Sequence, residues 1–245
     1  NRIYDEEVHK LLKKRFSYQY PYAYLRDLPV KVSVSELKKR SWHGENDREE
    51  ALFSEPDIVP LVPDFVSGGN EEYKGAARGT AYHRLMECLD YTAVDSESQI
   101  HKQITALTEA KKMAYEEAQC IRIQDIMTFL HSEIGQRMKK AFEADQLYRE
   151  QPFVLAQSMK NIEKDWNGEE TVLVQGIIDA YFIEDEEIVL VDYKTDRVRK
   201  GEEQHLIDLY HTQLEDYAQA LERMLQKKVK ETYIYSFTLG KMIPV

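Results

Sequence analysis

The sequence predicts an α/β (α+β) fold: a mixed central sheet flanked by helices, with a helical insertion. Three observations carry that expectation. Residues 175–193 read as two β-branched and aromatic strands joined by an acidic turn. Residues 98–148 are helical by composition and period. A long amphipathic pattern from about Gln204 to Gln226 then runs into an alternating stretch, Lys230 to Leu239, that reads as a final strand. At 245 residues the chain is large enough for one substantial core carrying such an insertion.

Composition narrows the classes. Cys88 and Cys120 are the only cysteines and belong to no ligand-spaced motif, which argues against a disulfide scaffold, a zinc site or an iron–sulfur cluster. No apolar run approaches the length of a membrane span. The chain opens at Asn1 without a signal-like stretch, and we expect an excised domain of a larger cytoplasmic, bacterial protein. The net charge is −11, unevenly spread: residues 1–40 hold ten Lys/Arg against five acids, a local +5, leaving −16 on the remainder. Contact with nucleic acid is therefore expected to be local or arranged by a partner. We divide the chain into a basic arm and charged connector, 1–74, and a body, 75–245, with its helical insertion at about 98–148.

In order, residues 4–16 suit a short amphipathic helix with Val8, Leu11 and Leu12 turned inward. The tyrosine-rich Tyr18–Tyr24 points to an extended linker around Pro21, so that the basic arm docks on a neighbouring domain rather than on DNA. Lys31–Val34 reads as a short strand, and Ser33 or Ser35 caps a helix through Lys39. Trp42–Lys74 is charged and broken by prolines and Gly68-Gly69, a loop or connector. Thr80 is the expected N-cap of a helix to about Leu89, with Leu85, Met86 and Leu89 apolar. In the insertion, the β-branched CIRI stretch near Ile121 breaks the helical run and Ser132 caps a further piece. Glu150-Gln-Pro-Phe-Val-Leu starts a strand, and Asp165–Glu170 is a turn.

The chemistry gathers in the hairpin. Asp179 and Asp192 each interrupt an apolar strand and are equidistant from a turn centred between Asp185 and Glu186. Such a register sets them opposite each other, Cβ atoms roughly 4.5–5.5 Å apart. Lys194, two residues beyond Asp192, shares its face. Opposed carboxylates repel, and their surroundings are too apolar for a solvated face. A hard divalent cation between them turns the repulsion into a site. An oxygen-rich shell suits Mg²⁺, with Mn²⁺ as a substitute.

G-x-x-D (Gly176 to Asp179) followed by D-Y-K-T-D (Asp192 to Asp196) resembles the core of the PD-(D/E)xK nucleases, in particular the RecB-like branch. Three further stretches extend the likeness: G-T-x-x-H-x-x-x-E (Gly79 to Glu87), Glu150-Gln-Pro-Phe, and Q-x-x-x-Y (Gln213 to Tyr217). Helix, three strands, helix, strand is that family's restriction-endonuclease-like core order, and it accounts for residues 79–239. The approach PYAYLRDLPVKVSVSELKKR before GTAYH is most similar to the C-terminal nuclease domain of AddA-type subunits of bacterial helicase-nucleases. That resemblance implies DNA as substrate, helicase domains elsewhere in the full-length chain, and a heterodimer with an AddB-like partner. No P-loop sequence is present here, so no ATP site falls within the fragment.

The resemblance also implies roles. His83, Asp179, Asp192 and the backbone carbonyl of Tyr193 hold the metal, while Glu87 orients His83 from behind. Asp179, Asp192 and Lys194 carry the cleavage, with Glu150 as a further acidic contributor. Gln213 and Tyr217 sit beside the bound strand, and Arg197, Arg199 and Lys200 meet its phosphates. Two rival readings stand beside a nuclease in double-strand break processing: a catalytically silent scaffold of the same fold, and a stand-alone exonuclease.

Overall fold

The computed structural model describes residues 5–20, 25–26, 28–37, 71–162, 166 and 168–245. Residues 21–24 and 38–70, which include Lys38–Arg40 and most of the expected connector, lie outside the described residues. The elements in chain order are α1 (Glu6–Phe16), β1 (Lys31–Ser33), α2 (Glu71–Cys88), α3 (Glu97–Glu109), α4 (Tyr115–Gln119), α5 (Ile123–His131), α6 (Glu133–Glu143), β2 (Leu147–Ser158), α7 (Met159–Ile162), β3 (Thr171–Glu184), β4 (Glu187–Lys194), α8 (Glu203–Leu225), β5 (Val229–Ser236) and β6 (Lys241–Pro244).

The mixed sheet separates two cores. On one face, Tyr82, Leu85, Met86 and Leu89 of α2 and its end form a stripe at helical spacing that packs with α3, α5 and α6. They meet Ala180, Phe182, Val189, Val191 and Tyr193 of the hairpin. On the other face, Leu206, Tyr210, Leu214, Tyr217 and Leu221 of α8 close over Val174, Ile178, Ile188, Leu190 and Ile234. Strands β3 and β4 are thus buried on both sides, which is why their sequences are near-continuous apolar runs.

The insertion follows its sequence signals. The helical run breaks at 120–122 between α4 and α5. Ser132 caps α6, its Oγ accepting from the Gly135 N–H at 3.2 Å. In the arm, the Ser33 hydroxyl accepts from Glu36 N–H at 3.1 Å and caps the helical residues 34–37.

Three expectations are corrected. Helix α2 begins at Glu71, so Thr80 is interior to it and is not its N-cap. Its buried stripe outweighs the helix penalty of Gly75 and Gly79. Helix α1 forms, with Asp5 capping Glu7 and Val8 N–H, but Val8, Leu11 and Leu12 are 49%, 51% and 42% exposed. Nothing among the described residues packs on them as the inward face that their spacing implied. The division at residue 74 also fails to hold: β1 pairs in parallel with β3, and Val32 and Val34 are buried in the α8-side core. The arm supplies a strand to the body.

Candidate metal and active site

A fork in the sheet builds the site. Strand β2 lines one edge of β3 from Thr171 to Phe182. The opposite edge is shared: β1 takes Leu173–Gln175 and β4 takes Ala180–Glu184. Residues 176–179 lie between, with no ladder partner on that edge among the described residues. Asp179 closes the gap. Its Oδ2 accepts from the Tyr193 backbone N–H at 2.8 Å, where a ladder bond would otherwise continue.

Side-chain alternation also slips here. Val172, Val174 and Ile178 belong to the α8 side, whereas Ala180 and Phe182 belong to the α2 side. Strand β2 records the same slip. Arg149 pairs with Ala180 and Gln151 with Ile178, but the intervening step, Glu150 opposite Asp179, is missing. Glu150 has φ 48°, a left-handed conformation that costs a non-glycine residue roughly 1 kcal/mol or more. Its neighbours hold the kink. Arg149 Nη1 donates to the Leu89 carbonyl at 2.6 Å, tying β2 to the end of α2, and Gln151 Nε2 donates to the Arg149 carbonyl at 3.2 Å.

These distortions bring three ligand types together. Ligand atoms of His83, Glu150 and Asp179 all lie within 4.8 Å of one another. His83, on the flank of α2, places Nδ1 3.2 Å from Asp179 Oδ1. On the neighbouring strand, Lys194 Nζ lies 2.6 Å from Asp192 Oδ2. The angles are not those of a hydrogen bond, so both oxygens of Asp192, 1% exposed, are buried without one. Gly176 is required by close approach: a Cβ there would fall 2.7 Å from Phe153 Cε1 and 3.2 Å from Tyr217 Cε1.

The electrostatics follow from burial and proximity. Burial raises Glu150 to about 7, and the Asp179 charge adds to it. Burial likewise lifts Asp192 to about 6 despite Lys194. Burial opposes ionisation of Asp179 too, but His83, Lys194 and the Tyr193 N–H overcome it and hold its carboxyl below the usual range. His83 is raised, because Asp179 outweighs a burial cost that alone would lower it. Lys194 is raised in the same way, by Asp192 and then Asp179 against burial. Three carboxylates therefore share one ammonium and one imidazole. The unsatisfied oxygens of Asp192 and the His83–Glu150–Asp179 cluster fit a divalent cation.

The remaining expected residues divide. Gln213 Nε2 donates to the Tyr217 hydroxyl at 2.9 Å. The Tyr217 ring is 6% exposed, edge-on to Phe153 at 5.6 Å, so it is a core ring. Burial raises its hydroxyl, and the Asp192 and Asp179 charges raise it further, which orients that hydroxyl towards the carboxylates. Arg197, Arg199 and Lys200 are exposed in the loop after β4. Glu87 is corrected: it pairs with Arg84, not His83, whose partner is Asp179. Tyr193 contributes its N–H, and its ring packs against Phe129 and Phe237.

Two neighbours of the site escaped the sequence reading. Tyr210 lies under Lys194, with Nζ 4.2 Å from its ring centroid. Its hydroxyl donates to Asp196, 3.0 Å from both oxygens. The available signal was spacing: Tyr210, Gln213 and Tyr217 recur at i, i+3, i+7 on one helical face.

The sequence model of the PD-(D/E)XK nuclease superfamily matches residues 62–241. An ATP-dependent helicase/nuclease subunit from Alkaliphilus metalliredigens is 39% identical over 232 residues, 94% of this chain and 19% of that protein. Proteins of the same name from Clostridium botulinum (strain Loch Maree) and Clostridium perfringens (strain SM101) are 34% and 32% identical, over 99% and 96% of this chain. The chain spans about a fifth of the length of these relatives, 18–19% of each. Among the described residues no helix is long and apolar enough to cross a membrane.

Proposed function

The chain belongs to the PD-(D/E)XK nuclease superfamily, and from that premise we propose that it is a Mg²⁺-dependent deoxyribonuclease hydrolysing phosphodiester bonds, chiefly of single-stranded DNA. One observation carries the reading: buried carboxylates at the fork exceed the cations beside them, and both oxygens of Asp192 lack a hydrogen bond. Asp179, Asp192, His83 and Glu150, with the Tyr193 carbonyl, would hold the ion. A bound divalent cation supplies Lewis-acid polarisation of a phosphoryl oxygen and a more acidic attacking water.

Lys194 orients that water or offsets charge developing on the phosphoryl group. Gln213 and the Tyr217 hydroxyl position the strand, and Arg197, Arg199 and Lys200 meet its phosphates. The names of the relatives place helicase and nuclease in one polypeptide. On that ground we assign this chain to the nuclease end of a bacterial cytoplasmic helicase-nuclease of recombinational repair, fed a single strand by the motor and paired with an AddB-like partner.

The test is cleavage of a labelled single strand by the purified chain, with and without Mg²⁺. Cleavage that survives excess chelator, or that persists near wild type in Asp192→Asn, refutes the assignment. A chain that binds the strand but cuts it with neither Mg²⁺ nor Mn²⁺ is a scaffold instead.

A further inference from the structure

The buried ion pair of Lys194 leaves a question of direction. Its ammonium is 2.6 Å from Asp192 Oδ2, yet the contact lacks hydrogen-bond geometry and Asp192 keeps both oxygens unsatisfied. Asp192 alone therefore does not aim the lysine. The other contact is the face of Tyr210, 4.2 Å below Nζ. A cation over an aromatic face is attracted by the ring quadrupole, about 2 kcal/mol when water is excluded. Lys194 has only 12% of its side chain exposed, and Tyr210 is 7% exposed.

The ring is itself fixed in rotation and tilt. Its hydroxyl lies 3.0 Å from each oxygen of Asp196, two residues beyond Lys194 in the loop that follows β4. One helix residue thus touches the strand's lysine with its face and the next loop's carboxylate with its edge.

We propose that Tyr210 and Asp196 are positioning residues for the nuclease reaction: the anchored ring holds the Lys194 ammonium off a full hydrogen bond to Asp192 and aims it at the reacting water. The same link pins the start of the loop bearing Arg197, Arg199 and Lys200 against α8. This role rests on the function proposed above. Neither residue need touch substrate or metal.

The experiment compares Tyr210→Phe, Tyr210→Leu and Asp196→Asn in the purified chain. Tyr210→Phe keeps the face and loses the anchor, with kcat expected to fall about fivefold. Tyr210→Leu loses both, and a misaimed group costs on the order of 10²-fold. In each, KM for the single strand and calorimetric Mn²⁺ affinity stay at wild type. An independent readout needs no turnover: in metal-free protein the ring current shifts the Lys194 ε-protons upfield by NMR, a shift kept in Tyr210→Phe and lost in Tyr210→Leu. Wild-type kcat in Tyr210→Leu, a loss appearing only in KM, or an unchanged Lys194 shift would each overturn the proposal. Should Tyr210→Leu not fold, Asp196→Asn decides, with a fivefold kcat loss at constant KM expected and no loss overturning it. If Lys194→Ala cuts like wild type, the nuclease role of Lys194 falls first and this positioning role with it, although the ring-current shift would still record the contact.

Discussion

The two ends of the β3–β4 hairpin hold the same kinds of residue in opposite states. At the turn, Glu184 accepts from Arg137 Nη2 and Lys230 Nζ, both at 2.7 Å, and Arg137 also reaches Glu231 at 2.6 Å. Lys227 covers Glu186. The Arg137 hydrogen bond, with Lys230 behind it, draws Glu184 down to about 2. At the open end, Glu150 stands at about 7 and Asp192 at about 6, burial being the first cause in both. The turn end has one cation for each acid and lies near solvent. The open end has too few cations and almost no water. A carboxylate's meaning is set by that local balance, and only the open end has an unfilled demand for positive charge.

Breaking the open end should have the largest effect. Asp179→Asn and Asp192→Asn are each expected to lower cleavage by roughly 10³-fold, the scale of losing one preorganised electrostatic contact. The metal-free melting temperature should hold or rise in both, since like-charge repulsion is relieved. Glu184→Gln, at the other end of the same strand, should leave cleavage unchanged. Equal losses at the two ends would erase the contrast.

Next comes metal affinity. His83→Ala should weaken Mn²⁺ binding by roughly 10–100-fold in a calorimetric titration, a loss of the size that even outer partners of a metal ligand cause. Unchanged affinity would make His83 a structural partner of Asp179 alone.

The pH dependence then separates the ends by sign. Glu150 and Asp192 are raised above ordinary carboxylates, so their stabilising contribution to metal-free protein is full below about pH 4 and is lost as pH rises through 6–7. Glu150→Gln should therefore flatten the fall in stability between pH 5 and 8, by about 1 kcal/mol once solvent screening is allowed for. Glu184 is depressed. Its contribution is present above about pH 4.5 and is lost as pH falls towards 2. Glu184→Gln should cost about 1 kcal/mol at pH 7 and abolish that acid step in denaturant melts.

The smallest effect belongs to the turn itself. Asp185 and Glu186 have φ of 53° and 66°, a pair of left-handed residues as a two-residue type I′ turn requires. Replacing them with Asn-Gly should raise stability by about 0.5 kcal/mol in a thermal melt and leave cleavage alone.

What the sequence determined by itself is what neighbouring residues encode. An acidic turn centred between Asp185 and Glu186 sets the hairpin register, observed as Glu184 with Glu187 through Ala180 with Val191. One step further along that register places Asp179 against Asp192, and period-two alternation puts Lys194 beside Asp192. Helical period likewise marked α5, α6 and α8, and Ser132 and Ser33 marked their caps. Tertiary structure decided the rest. No local pattern says that β2 kinks at Glu150 to face Asp179, because that depends on Arg149 reaching the end of α2 from β2. Nor does one say that β1 completes the sheet, that Glu87 turns to Arg84, that α1 leaves its apolar stripe uncovered, or that Tyr210 lies under Lys194. Such choices join residues tens of positions apart. Their energies come from packing, burial and charge balance of the assembled layers, which periodicity along one segment does not contain.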